Sequence, residues 1–291
     1  MREAATDAPK TIAALSAEAR RTLEDAGVDA AAGDVRVLLA AALDRPAASL
    51  IGAGAETVSG GGAWRFRGLI ARRAAREPVS RILGRREFWS LDFAIDRGVL
   101  DPRADSECLV EAALQHAADR PAPLRVADLG VGSGCLLLSV LHERARALGV
   151  GVDRAEASAC TARRNAAALG LADRALIVVG DWTEALGGPF DLLLANPPYI
   201  PSAAVPALAP EVRGWDPIGA LDGGADGLDA YRAILPAARR LLAPGGAAIL
   251  ELGAGQWSAV ADLAVAAGLR PTRCVRDAAG IARCLVAETA P

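Results

Sequence analysis

The stretch Phe190-Asp191-Leu192-Leu193-Leu194-Ala195-Asn196-Pro197-Pro198-Tyr199-Ile200 constrains this chain more than any other, because it begins a buried apolar run and stops it abruptly. A short run of Leu and Ala bounded by turn formers reads as a strand of a parallel sheet. Two prolines lack the N–H donors that a ladder needs, so the strand must end at Asn196. A polar amide and an aromatic ring then sit on a stiff loop beyond a strand's carboxyl end, where open α/β sheets bind ligands.

The chemistry of such a loop is narrow. Asn196 offers one acceptor oxygen and two donor hydrogens, whereas Pro197 and Pro198 offer carbonyl acceptors and no donor. This acceptor cluster suits a substrate NH2 group. The Asn196 oxygen and a proline carbonyl each take one hydrogen, while Tyr199 stacks on the flat amide or base. Holding both hydrogens draws the nitrogen lone pair out of conjugation and aims it, preorganising a planar nitrogen for attack without a covalent intermediate. Alone, an Asn-Pro-Pro-Tyr reads first as a proline-stiffened turn, and its context must decide.

That context is an alternation of strands and helices from Leu124 onward, the signature of a doubly wound sheet. The first strand, Leu124 to Leu129, runs into Gly130-Val131-Gly132-Ser133-Gly134 and the helix from Cys135 to Ala147. Glycines permit a tight turn and close approach of a ligand, and a helix amino end favours a carboxylate as readily as a phosphate. The third glycine follows the second by two residues, unlike the GxGxxG of a dinucleotide site. Asp153 closes the second strand and is placed to take both hydroxyls of a ribose. The third strand, Ala175 to Val179, leads into Asp181, able to accept from an adenine amino group, and Trp182, able to cover the ring. Four strand ends thus present groups suited to the carboxylate, ribose and adenine of S-adenosyl-L-methionine and to the NH2 of a second molecule.

Composition excludes other chemistries. The five cysteines, Cys108, Cys135, Cys160, Cys274 and Cys284, form no CxxC pair and fit reduced thiols in the cytosol. The two histidines, His116 and His142, fall inside helical patterns, so neither histidine catalysis nor a metal site is expected. A net charge of −3 argues against a protein that coats nucleic acid, and no stable nucleic-acid binding is expected. No apolar run spans a bilayer and Met1-Arg2-Glu3 leads into no signal core, so a soluble, cytoplasmic protein is expected, acting as a monomer.

Residues 1–84 read as a small helical domain, 85–104 as a β-hairpin linker and 105–291 as the catalytic domain. Asp34 is expected to cap a helix through Leu43, Gly52 to Gly62 to form a loop, and Ala63 to Arg76 a helix. Eight arginines between Arg65 and Arg86 face only Glu77 and Glu87, a solvated helix face or a docking surface for an acidic or RNA-like partner. In the hairpin Leu91, Phe93 and Ile95 alternate with polar or small residues and Arg97-Gly98 is expected to turn the chain. Asp105 or Ser106 can cap the following helix. The segment from Pro201 to Asp229 has few periodic features and is expected to cover the substrate mouth. Glu251, at the end of a buried strand, has no evident role.

At these residues the chain resembles the protein-(glutamine-N5) methyltransferases that modify the GGQ loop of bacterial peptide chain release factors. The likeness covers most of the length: Glu77-Pro78-Val79, Glu87-Phe88-Trp89, Pro102-Arg103 with Glu107, Asp128-Leu129-Gly130 through Gly134, Asp153, Arg164-Asn165, Asp181-Trp182, Asn196 to Tyr199, Leu221-Asp222-Gly223-Gly224 and Leu250-Glu251. The resemblance implies a Rossmann-like class I S-adenosylmethionine-dependent methyltransferase sheet with a helical amino-terminal domain that helps hold the release factor. It makes Gly130 to Gly134, Asp153, Asp181, Trp182 and Asn196 cofactor-binding, Asn196, Pro197 and Tyr199 catalytic, and Asn196 to Tyr199 with Arg103 substrate-binding. Ala104-Asp105-Ser106 and Arg81 depart mildly from the family pattern. The alternatives are an adenine-N6 methyltransferase on DNA or RNA, a glutamine methyltransferase acting on a ribosomal protein, and a non-catalytic binding module on the same scaffold. The adenine reading requires base extraction and a broad basic surface.

Overall fold

Thr11 accepts a hydrogen bond from the Ala14 N–H at 3.2 Å and so starts α1 (Ile12–Asp25), whose Leu15, Ala19 and Leu23, four residues apart, bury one face. With α2 (Ala31–Leu43), α3 (Gly60–Ala74) and α4 (Val79–Leu83) it encloses a core that includes Leu38, Leu39, Phe66 and Ile70. These helices belong to the first of two compact units into which the chain divides after Gly84. The computed structural model describes residues 10–119, 123–184, 186–277 and 279–290.

Two expectations fail in the first unit for local reasons. Ser59 accepts from the Gly62 N–H at 3.2 Å and begins α3 before Ala63, shortening the expected loop. Asp34 lies in the first turn of α2 and caps nothing, because its carboxylate accepts from Arg73 Nε at 2.7 Å. The arginine stretch is not simply a solvated face. Arg73 and Arg81 are buried, Arg72 pairs with Glu77 at 2.5 Å, and Arg65 donates to the Ala42 carbonyl at 2.9 Å.

The second unit begins with a hairpin of β1 (Arg85–Phe88) and β2 (Leu91–Ala94). Its strands are joined at Trp89-Ser90, not at Arg97-Gly98. Both turn residues take positive φ, 52° and 57°, the twist that suits a two-residue hairpin, and Glu107 Oε1 accepts the Trp89 N–H at 2.8 Å. Arg97-Gly98 instead turns the chain out of the hairpin toward α5 (Glu107–His116).

The sheet then forms from β3 (Arg125–Leu129), β4 (Leu148–Asp153), β5 (Ala175–Val179), β6 (Phe190–Ala195), β7 (Leu242–Glu251), β8 (Arg270–Arg276) and β9 (Ala282–Glu288), in the order β5-β4-β3-β6-β7-β9-β8. The first five are parallel; β9 runs antiparallel to both β7 and β8. The intervening helices are α6 (Cys135–Glu143), α7 (Glu156–Ala168), α8 (Pro210–Arg213), α9 (Asp229–Leu241) and α10 (Trp257–Ala266). Along β6, Leu192 and Leu194 join the core under α5, α6 and α7, while Leu193 and Ala195 join the one under α9 and α10. Both faces are covered, so this strand reads as a continuous apolar run rather than an alternation. The order of strands reverses between β3 and β6, which opens a crevice at their carboxyl ends.

Candidate active site

Beyond β3 the chain needs backbone that L side chains avoid: Gly130, Gly132 and Gly134 have φ of 74°, 55° and 85°. The Gly130 and Val131 N–H groups donate to the Val152 carbonyl at 2.8 and 2.9 Å, turning the loop across β4. A Cβ on Gly134 would meet Leu138 Cδ1 at 2.9 Å, so this glycine lets α6 start against its own second turn. One Cβ on Gly132 would meet nothing nearer than 3.9 Å, and the loop there stays open to a ligand. Ser133, buried, gives its carbonyl to Asn165 Nδ2 at 2.8 Å. Asn165 also bonds the Ala94 N–H and carbonyl at 2.9 and 3.1 Å, stitching the hairpin to the glycine loop.

Asp153 shapes the same loop. Its Oδ2 accepts from the Gly132 N–H and its Oδ1 from the Ala155 N–H, each at 2.9 Å. A carboxylate has about four acceptor positions, so two remain for a diol. Trp182 follows β5 at φ 41°, a left-handed conformation rare for tryptophan, and its ring lies against Gly130. Gly130, Val131, Gly132, Ser133, Asp153, Asp181, Trp182, Asn196 and Pro198 line one cavity of about 340 Å³. Gly134, Pro197, Tyr199 and Arg103 do not line it. Leu100 and Pro102 from one side and Pro217, Gly219 and Ala220 from the other complete its wall, so the 201–229 segment does border the cavity.

The Arg103 guanidinium is engaged by another carboxylate. Nη2 donates to the buried Asp216 carboxylate at 2.6 Å, and Asp216 also accepts from the Asp101 N–H at 3.2 Å. The charge ties the loop before α5 to the loop after α8. Ser106 sits at the start of α5 but makes no capping bond; its hydroxyl accepts from Asn196 Nδ2 at 3.1 Å. Asn196 Oδ1 thereby remains the open acceptor of that amide.

Tyr199 turns inward, its hydroxyl donating to Glu251 Oε1 at 3.2 Å, and burial raises its phenol above the ordinary range. Gln256 Nε2 donates to the Tyr199 carbonyl at 2.9 Å, and the Gly223 N–H donates to the Ile200 carbonyl at 2.8 Å. Gly223 is pressed against this loop: a Cβ there would lie 2.7 Å from the Pro198 carbonyl oxygen and 2.9 Å from Tyr199 Cα. Gly223→Ala should therefore push the loop off its seat, costing about 1–3 kcal/mol in thermal unfolding and more in activity than in donor affinity.

Two carboxyls in this unit are held up by burial. Asp128, with a single bond from the Leu137 N–H at 3.2 Å, is pushed to about 7, and so is Glu251, where the Ser106 and Tyr199 hydroxyls oppose the shift. An acid whose pKa rises on folding makes the native state the better proton binder between its unfolded value near 4.5 and about 7, so its contribution falls as pH rises through that window. Replacing Glu251 by Gln removes this loss: the stability of the variant minus that of the parent should rise between pH 4.5 and 8, by up to about 3 kcal/mol. Denaturant titrations of the two proteins across that range check the sign.

The role of Asn165 and the partners of Glu251 are what sequence reasoning missed. Arg164-Asn165 and Leu250-Glu251 stood among the residues of the resemblance, and Glu251 also announced itself as a charge at the end of an apolar strand. Among the described residues no helix is long and apolar enough to cross a membrane.

Residues 14–84 match the family described as the PrmC N-terminal domain, and residues 103–209 match the methyltransferase small domain. Two solved structures share the fold: a methyltransferase from Pyrococcus furiosus, TM-score 0.51 at 15% identity over 69% of this chain and 90% of that one, and the T. thermophilus 16S rRNA N2 G1207 methyltransferase in complex with AdoMet and guanosine, TM-score 0.51 at 21% identity over 70% and 49%. The second unit thus has a Rossmann-like class I methyltransferase fold. The chain is 48% identical over 266 residues to the release factor glutamine methyltransferase of Rhodospirillum rubrum, covering 91% of this chain and 81% of the relative. It is 47% identical over 285 residues to that of Bradyrhizobium diazoefficiens, covering 94% of each. With such identity along nearly its whole length, and both domains matched, the chain belongs to the release factor glutamine methyltransferase family.

Proposed function

We propose that this protein transfers a methyl group from S-adenosyl-L-methionine to the side-chain amide nitrogen, N5, of the glutamine in the GGQ motif of peptide chain release factors. The observation that carries the reading is the state of Asn196. Its donor is committed to Ser106 Oγ and its oxygen is left as an acceptor, beside a cavity that the glycine loop and Asp153 enclose.

The cavity suits the donor. Its volume of about 340 Å³ lies in the range of small-molecule sites. The open face of Gly132 admits a ligand to the backbone, Cys135 and Leu136 at the start of α6 line the cavity where a donor carboxylate would be favoured, and Asp153 keeps acceptor positions for the ribose hydroxyls. Asp181 and Trp182 border the space for an adenine. When bound, S-adenosylmethionine supplies an electrophilic methyl on a positively charged sulfur.

The protein's own part is positioning. Asn196 Oδ1 and the Pro197 carbonyl accept the two amide hydrogens of the substrate glutamine, which pyramidalises the nitrogen and aims its lone pair at the methyl carbon. Tyr199 steadies the loop through its bond to Glu251. Asn196 is neutral and is no base; the surplus proton leaves to solvent after the transfer. Arg103 serves the substrate indirectly, by tying the two loops at the cavity rim through Asp216. The helical unit up to Gly84 helps hold the release factor, and the hairpin of β1 and β2 joins it to the catalytic part.

Incubation with a labelled methyl donor and, separately, a release factor, ribosomal proteins and duplex or single-stranded nucleic acid tests this reading. Mass spectrometry should place the label on the glutamine amide of the release factor. Label on adenine would overturn it.

A further inference from the structure

Glu251 lies buried at the end of β7, 4% exposed, and does not line the cavity. A charge-bearing group in that place costs several kcal/mol unless hydrogen bonds compensate it, and sequences retain such groups mostly for function. Its surroundings are specific. Oε1 accepts from Tyr199 at 3.2 Å, the Ser106 hydroxyl faces the same carboxyl, and Oε2 makes no close hydrogen bond with a described residue. Ser106 in turn accepts from Asn196 Nδ2 at 3.1 Å, so its own hydrogen needs an acceptor. The need of Oε2 for a donor and the need of the Ser106 hydrogen for an acceptor answer each other.

We propose that Glu251 is a positioning residue for the amide-methylating reaction: as an acceptor-only carboxylate it sets the direction of the hydrogen-bond chain through Ser106 to Asn196, and thereby keeps Asn196 Oδ1 facing the substrate amide. A carboxylate can only accept, so the Ser106 hydroxyl donates to it and presents its lone pair to Asn196. Asn196 must then offer its NH2 to Ser106 and its oxygen to the substrate. A donor in place of the carboxylate frees the Ser106 hydrogen to turn to Asn196 Oδ1, and with the amide so flipped the site would meet the substrate NH2 with another NH2. The same carboxylate fixes Tyr199 on the other side of the loop. The inference rests on the function proposed above.

Protonation gives the carboxyl a hydrogen of its own to donate and so removes the same constraint on the chain's direction. The groups facing the carboxyl are Asp105 and Ser106 from the turn before α5, Tyr199, Tyr231 from α9, Cys135 from α6, and Arg283 and Cys284 from β9. Arg283 is shared with Asp105 at 3.2 Å and Asp277 at 2.8 Å, which weakens its hold on Glu251. Burial is the larger influence and leaves the carboxyl titrating at about 7. The acidic limb of activity is then expected to reach up to neutrality.

The test uses the full chain, a release factor as substrate, and a Gly-Gly-Gln peptide whose binding is measured in the presence of S-adenosylhomocysteine. Glu251→Gln supplies a donor where the carboxylate has none. It should lower kcat/KM and peptide affinity at least tenfold, leave S-adenosylhomocysteine affinity within threefold, and abolish the rise of peptide binding between pH 6 and 8 that the proposal expects of the parent. Ser106→Ala cuts the chain, so adding Glu251→Gln to it should cost much less than Glu251→Gln costs alone. Glu251→Asp, still acceptor-only, should recover part of the loss. A parent that methylates the release factor beside an equally active Glu251→Gln with the same pH profile overturns the inference alone. Purely additive effects of Glu251→Gln and Ser106→Ala overturn it too. A parent that transfers no methyl to the release factor overturns it together with the proposed function.

Discussion

Asn196→Ala is expected to lower turnover about 100- to 1000-fold, the usual cost of removing one preorganised polar group from a reacting centre. The effect should fall on kcat and not on the donor. Asn196 contacts the protein through Ser106, while the glycine loop and Asp153 that enclose the cavity are held by backbone bonds of 2.8 to 2.9 Å that the substitution leaves untouched. Calorimetry with S-adenosylhomocysteine should accordingly give nearly parental affinity. Asn196→Asp is the informative companion, because it retains an acceptor facing the amide but loses the donor to Ser106. Two acceptors then meet across that gap unless Ser106 turns its hydrogen back, away from Glu251. Turnover at the parental rate in the alanine variant would remove Asn196 from the mechanism.

The second large effect is expected at Asp153, and it falls on donor binding. Both oxygens already accept backbone N–H groups at 2.9 Å, from Gly132 and from Ala155. A ribose diol would add two more bonds to the same charge, each contributing about 1.5–3 kcal/mol. Asp153→Asn cannot reproduce this, since its NH2 must face one of the two backbone donors. S-adenosylhomocysteine affinity should drop about 100- to 1000-fold, and Asp153→Ala should do the same while also loosening the glycine loop. Equilibrium dialysis or calorimetry measures both. The split matters: Asn196 and Asp153 variants are expected to fail in different steps, one after the donor is bound and one before.

Much of this was legible in the sequence where the physics is local. The apolar strands of the sheet, the glycine turn and the proline stop at Asn196 announce themselves within a few residues, so β5 is met at Ala175 to Val179 and β6 ends one residue before Asn196. What stayed hidden depends on distant partners. Ser106 and Asn196 are 90 residues apart and Tyr199 and Glu251 are 52 apart, so neither the tie on the amide nor the purpose of the buried carboxylate can be seen along the chain. The resemblance assigns Arg103 to the substrate; its bond to Asp216, 113 residues away, is a tie that no local stretch announces. The hairpin turn was misplaced because Arg97-Gly98 carries the glycine, yet Trp89-Ser90 adopts the left-handed pair, fixed from outside by Glu107. Strand order, too, is decided by which edges meet across the sheet, and no single stretch encodes it.

The central claim is that oxygen acceptors on the loop after β6 hold a carboxamide by both of its hydrogens. A crystal structure with S-adenosylhomocysteine and a Gly-Gly-Gln peptide tests it most directly. The glutamine nitrogen should lie at about 3 Å from both Asn196 Oδ1 and the Pro197 carbonyl oxygen, on the side of the cavity where the donor's sulfur sits. A peptide amide bound elsewhere, or an Asn196 side chain turned away from the sulfur with no room for an incoming nitrogen, would contradict the account.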